Sequence, residues 1–225
     1  MVEVYLPLVQ VGKQSPRTGE HVGGKEIAHG LRSVCGSSCC VSPGDLVVLL
    51  PAMDIESELL ANCSRRHADR LVSWVGTDAK RFAALMKVFL RGEPPAAQHS
   101  AMVVGICAEL HPALVRPYIG RMLLRIEEPG VHVALRRTVV RMLQDVDIPP
   151  ELLGRVATLC FRYLSAGDTP VAVKVFSMSV IARIARKEPD LGRELRLVIE
   201  QGLPYGTGGY RSRARRVLRE MAPLY

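Results

Sequence analysis

Aromatic side chains are scarce in this 225-residue chain: Phe, Trp and Tyr make up 5% of it, and tryptophan occurs once, at Trp74. A core built from this sequence must be aliphatic, which suits close helix–helix packing better than an aromatic-rich sheet. No apolar run approaches the roughly 20 residues needed to cross a bilayer. The best stretch, Leu46 to Leu50, stops at Pro51. Met1 to Gly12 has neither the basic start nor the apolar run of a secretory signal. There is no Walker phosphate loop and no Gly-x-Gly-x-x-Gly after a strand, and no His-x3-His or Glu-x-x-His pattern connects His99, His111 and His132. No cofactor and no metal are therefore expected. The cysteines Cys35, Cys39, Cys40, Cys63, Cys107 and Cys160 lack the regular spacing of a disulfide-dense secreted fold. A reducing cytoplasm is the expected compartment. Cys107 and Cys160 sit among apolar residues on helical stretches and read as small buried hydrophobes.

What the chain does contain falls into two parts. Its 48% apolar content excludes a wholly disordered protein. Residues 1–52 hold 7 of the 19 glycines but only two alanines, and their charges cancel (Lys13, Arg17, Lys25 and Arg32 against Glu3, Glu20, Glu26 and Asp45). The net charge of +8 thus resides in residues 53–225, with 26 Lys and Arg against 18 Asp and Glu. Val2 to Val11 and Leu46 to Leu50 have strand character, but two such strands make no independent domain. Three readings of residues 1–52 compete: a disordered tail, a small docked appendage, or an initiation codon assigned too early. Met53 opens Met-Asp-Ile-Glu-Ser-Glu-Leu-Leu, a credible protein start with acidic residues in a first helical turn. The early-start reading is preferred, with disorder expected for any expressed part of the segment. Cys35-x3-Cys39-Cys40, with His21 and His29 upstream, is no zinc knuckle, since adjacent cysteines poorly serve one tetrahedral ion.

Beyond Met53 the chain reads as successive helices. Ser64 and Thr77 are natural N-caps, and Thr169-Pro170 places a cap before a proline at the first helical position. Pro129-Gly130 marks a turn. Apolar stripes at i, i+3, i+4, i+7 run through Val115, Tyr118, Ile119, Met122, Leu123 and Ile126; through Leu153, Val156, Ala157, Cys160, Phe161 and Leu164; and through Val173, Phe176, Val180, Ile181 and Ile184. A recurrence adds more. Pro112-Ala-Leu114, Pro150-Glu-Leu152 and Pro189-Asp-Leu191 each open a helix with Pro-x-Leu, at spacings of 38 and 39 residues. Another helix precedes each, around Gln98 to Ala108, His132 to Leu143 and Ala172 to Ala185, and Tyr210 to Met221 supplies a last partner. Two helices per unit at this period indicate an all-α fold, a right-handed α–α superhelix of HEAT or armadillo type, with an irregular N-terminal segment.

Leu143-Gln-Asp145-Val-Asp147-Ile-Pro149, Ala172-Val-Lys174-Val-Phe176-Ser-Met178 and Arg211-Ser-Arg213-Ala-Arg215 give this chain a resemblance. Over about Met53 to Arg219 it resembles the small HEAT-like proteins of uncharacterised function found in bacteria. The DNA alkylation repair glycosylases are more distantly similar. That resemblance would imply a basic concave surface bearing tryptophans and a catalytic aspartate. The sole tryptophan, Trp74, precedes the clear repeats, so the activity does not carry over.

Reactive groups are few and dispersed. Asp145 and Asp147 are paired carboxylates in a joint, but Asp147 reads first as a cap for the following helix. Glu127-Glu128 read as solvated charge at a helix end, and His99, His111 and His132 lie on separate elements. Gly206-Thr-Gly208-Gly209 precedes a helix without a strand before it and reads as a flexible joint. The basic residues are more suggestive. Arg211, Arg215 and Arg219 share one flank of the last helix. In a solenoid whose second helices line the concave face, register places Arg136 or Arg137, Lys174 and Arg213 at similar points on successive units. Arg136, Arg137, Lys174, Arg211, Arg213, Arg215 and Arg219 are thus the candidate partner-binding residues, weighed against plain solvated decoration. A protein partner is the first expectation and the phosphate backbone of a nucleic acid the second, because aromatics for base stacking are nearly absent. An enzyme, a hydrolase or glycosylase, comes last.

Overall fold

The computed structural model describes residues 53–62 and 64–222. The readings of segment 1–52 and its cysteine cluster lie outside these residues. Eleven α-helices and two 3₁₀ turns occur, and no strand is present among the described residues. None of these helices is long and apolar enough to cross a membrane.

Helix α1 (Ile55–Ala61) is capped by Asp54, and α2 (Arg65–Val75) by Ser64, whose Oγ accepts the His67 N–H at 3.3 Å. Helix α3 (Ala79–Arg91) is capped by Asp78 rather than by Thr77. The Asp78 carboxylate accepts from the N–H groups of Lys80 and Arg81 at 2.7 and 3.1 Å. These bonds favour the anion and hold its pKa below the usual value. Helix α4 (Ala96–Leu110) follows. The next apolar stripe does not form one helix: α5 (Pro112–Val115) passes through a 3₁₀ turn, Arg116–Tyr118, into α6 (Ile119–Glu127). Pro117 in that turn has no N–H to continue an α-helical ladder. Helix α7 (Val133–Met142) comes next, and a second 3₁₀ turn, Pro150–Leu152, leads into α8 (Leu153–Ser165). Helix α9 (Val171–Ala185) begins one residue later than Thr169-Pro170 suggested, with Pro170 in extended geometry outside it. Helices α10 (Pro189–Gly202) and α11 (Gly208–Met221) complete the order.

Two layers result. Helices α4, α7, α9 and α11 pack side by side in a row, while α3, α6, α8 and α10 lie behind as the first members of the helix pairs. The three Pro-x-Leu segments each open a first-layer element, at α5, at the turn before α8 and at α10. Proline tolerates the first helical turn because its missing N–H would have no partner there. Leu114, Leu152 and Leu191 tuck against the shared core. That core is continuous and mostly aliphatic, with Leu85, Ile119, Met122, Leu123, Ile126 and Leu135 among its fully buried members. Each such side chain stabilises by about 1.5–3 kcal/mol.

Polar ties fasten the layers. The Glu127 carboxylate bridges Arg155 at 2.9 Å and Arg162 at 3.7 Å on α8. Glu128 pairs with Arg125. Glu127 is thus more than solvated charge, because α8 presents two guanidinium groups to it, while Glu128 pairs locally within its own helix end. In the joint after α7, Leu143, Val146 and Ile148 are buried while Asp145 and Asp147 point outward. Asp147 pairs with Arg116 at 3.2 Å and does not cap α8, whose approach is opened by Pro149 and Pro150. In the glycine-rich joint before α11, Thr207 caps the helix and Tyr210 is buried over Gly202 and Gly206, while Gly208 and Gly209 are exposed.

Candidate functional site: a groove along the second-layer helices

Three second-layer helices turn one face each towards a groove of about 860 Å³. On α4 that face carries Met102, Gly105, Ile106 and Glu109; on α7 it carries Ala134, Arg137, Thr138 and Arg141. Both sets follow the i, i+3, i+4, i+7 spacing of one helix face. Helix α9 adds Ala172 and Phe176. At Gly105 α4 and α7 run close together, since a Cβ there would meet Thr138 Cγ2 at 3.4 Å, an ordinary contact distance. The floor is apolar: Ile106 and Phe176 are half-buried, and Met102 is 42% exposed.

Charge is uneven along this face. Arg141 pairs with Glu109 across α7 and α4. Arg65, at the α2 end, pairs with Asp69 at 2.9 Å. Beside the groove, Arg213 of α11 donates to Ser179 Oγ of α9 at 2.6 Å and to Gln144 Oε1 at 3.4 Å. Arg183 of α9 donates to the Leu143 carbonyl at 3.0 Å. Arg137 is exposed. Among the described residues no carboxylate lies within ion-pair distance of Arg137, Arg183 or Arg213.

The seven basic candidates do not come together as one ladder. Arg136 and Arg211 are each the fourth residue of a second-layer helix, and both reach back to the preceding first-layer helix. Arg136 donates to the carbonyls of Ile126 and Glu128 at 3.1 and 3.3 Å, and Arg211 to those of Leu203 and Pro204 at 3.2 and 3.1 Å. They satisfy C-terminal carbonyls that the helix itself leaves unpaired. Lys174 is the fourth residue of α9, half-buried and on the side away from Phe176. Arg215 and Arg219 lie on the exposed side of α11, where Arg219 donates to the Arg215 carbonyl at 3.4 Å. Only Arg137 and Arg213 stand on or beside the groove. Of the floor residues, Met102 and Ile106 were not singled out by sequence reading and Phe176 read only as part of a buried stripe, because α4 and α9 are apolar on most sides. Such helices usually signal burial alone.

The groove offers contacts rather than a reactive constellation. His99 uses its Nδ1 on the Leu59 carbonyl at 2.8 Å, which ties α4 to α1. Asp145 is exposed at the rim. Burial raises the Cys107 thiol to about 11 and the Cys160 thiol to about 12, so neither supplies a thiolate near neutrality. Among the described residues no group of three or more His, Cys, Asp or Glu is placed to hold a metal ion. Trp74 packs under Arg81, whose guanidinium lies 5.3 Å from the ring centre.

Neither the curated proteins nor the solved structures contain a significant match to this chain. Residues 55–221 match the family model of the HEAT repeat domain. With paired helices stacked in two layers across that span, the chain belongs to the HEAT repeat domain family.

Proposed function

We propose that this HEAT repeat domain is a non-enzymatic scaffold that holds a segment of a partner protein in the groove across α4, α7 and α9. The exposed apolar floor carries this reading. Met102, Ile106 and Phe176 keep apolar surface in contact with water inside a concavity. Covering such surface contributes about 25 cal/mol per Å². A phosphate backbone gains nothing from those three side chains. The buried free thiols Cys107 and Cys160 suit a reducing cytoplasm as the place of action.

One set of observations favours a second reading, nucleic-acid binding: the +8 charge, and Arg137, Arg183 and Arg213 on or beside the groove, which no carboxylate among the described residues neutralises. Site-specific photo-crosslinking separates the two. A photoreactive residue is placed at Thr138 in the groove, or at exposed Leu124 on the outer layer, in the full chain. Crosslinks to polypeptide from position 138 and not from 124 are expected. Crosslinks from position 138 to nucleic acid instead, together with duplex DNA binding that collapses as salt rises, would reverse the ranking.

A further inference from the structure

Resting on the scaffold reading above, we infer that the groove selects an acidic peptide segment with aliphatic or aromatic anchors. Its apolar residues fill the floor while its carboxylates meet Arg137 and Arg213.

The argument is one of charge left over. Many first-layer arginines find carboxylates within the fold: Arg155 and Arg162 share Glu127, Arg125 takes Glu128, Arg193 takes Asp190 and Arg196 takes Glu200, while Arg121 lies over the Tyr118 ring. At the groove Arg141 and Arg65 are paired as well, with Glu109 and Asp69, but two arginines are left over. Arg137 has no polar partner among the described residues, and Arg213 has only the neutral oxygens of Ser179 and Gln144. Neutral acceptors orient a guanidinium without cancelling its charge, so Arg213 is held in place with its positive field intact. Ser179 and Phe176 lie three residues apart on α9, so the site that anchors Arg213 adjoins the apolar floor.

A partner segment that reaches both must therefore carry an apolar side chain and, within a turn or two of chain, a carboxylate. A basic segment would be repelled by Arg137 and Arg213 and would gain only Asp145, since Glu109 is already taken by Arg141. A carboxylate also fits the planar donor fork of arginine better than any neutral group does.

The test is selection of a phage-displayed library of random short peptides on the immobilised full chain, with the Ile106→Glu variant as counter-selection. Enriched peptides should combine Asp or Glu with Leu, Ile, Met or Phe, and should lose binding to Ile106→Glu. Against one such synthetic peptide, Arg137→Glu should weaken affinity about tenfold, the effect expected for a charge-assisted contact. A charge-reversed peptide carrying Lys should in turn bind Arg137→Glu better than the unaltered protein. Unchanged melting of Arg137→Glu, an exposed residue, shows that the loss is not unfolding. Groove-dependent peptides that are neutral or basic would overturn this inference and leave the scaffold reading intact. Enrichment of no groove-dependent peptide, with duplex DNA binding that Arg137→Glu abolishes, would overturn both.

Discussion

Replacing Gly206 by alanine should destabilise the domain through a single side chain, Tyr210. A Cβ on Gly206 would press into Tyr210 Cδ1, lie 3.0 Å from its Cγ and sit 3.2 Å from the Gly202 carbonyl oxygen. The ring is only 6% exposed, and Gly202 lies further along the same Cδ1–Cε1 edge, so the ring has little room to adjust. A Cβ on Gly202 would come within 2.9 Å of Tyr210 Cζ. Thr207 further pins the Tyr210 N–H at 3.4 Å, which fixes the start of α11. Overpacking of this kind costs about 1–3 kcal/mol. For a domain of this size that corresponds to a melting temperature roughly 3–10 °C lower. Thermal melts followed by circular dichroism measure it directly. The decisive comparison is a double-mutant cycle with Tyr210→Ala, which by itself should cost about 3–5 kcal/mol as a large-to-small core change. In that background Gly206→Ala should cost much less, because the ring atoms are gone and only the Gly202 carbonyl oxygen at 3.2 Å remains. An equal penalty in both backgrounds would refute the steric account and point to backbone conformation instead.

Five further outcomes follow from the geometry. Gly154→Ala, at a helical position with open space around its Cβ, should stabilise by about 0.5–1 kcal/mol in urea unfolding. Arg136→Ala should cost about 0.5–1.5 kcal/mol in the same assay by freeing the Ile126 and Glu128 carbonyls. Lys174→Ala, at the equivalent position without a side-chain hydrogen bond, should stay within about 0.5 kcal/mol. Asp78 has a lowered pKa, so its contribution is complete above the unfolded value near 3.8 and is lost as pH falls through the lower folded value. Asp78→Asn should accordingly flatten the acid limb of a stability profile, and an unchanged limb would assign acid unfolding to other carboxylates. Cys107 and Cys160 should resist alkylation in the native protein and react only on unfolding, as peptide mass spectrometry would register.

The repeat was legible because proline announces helix starts. Pro112, Pro150 and Pro189 each stand at the head of a first-layer element. Individual caps were less so: Thr77 and Asp78 are both good acceptors, and geometry, not residue type, chose Asp78. The stripe through Val115 and Tyr118 was read correctly as a buried face, yet Pro117 splits its helix. The basic residues show the limit most clearly. Arg211, not Arg213, occupies the place of Arg136 and Lys174, and two positions along a helix turn a side chain by about 200°. That slip separates a carbonyl cap from a residue beside the groove. The floor itself was hidden because Phe176 read as one member of a buried stripe, on a helix apolar on most sides, so nothing set it apart as open to a groove.

The polar ties divide by what they join. Arg136 and Arg211 fasten the two helices of one pair to each other. Glu127 instead reaches from one pair to Arg155 and Arg162 of the next, and Arg183 and Arg213 cross from later helices to the end of α7. Removing one helix pair would therefore strip its neighbour of counter-ions and acceptors as well as apolar cover. Fraying from an end is penalised at every seam, so the array should come apart in one sharp transition rather than unit by unit.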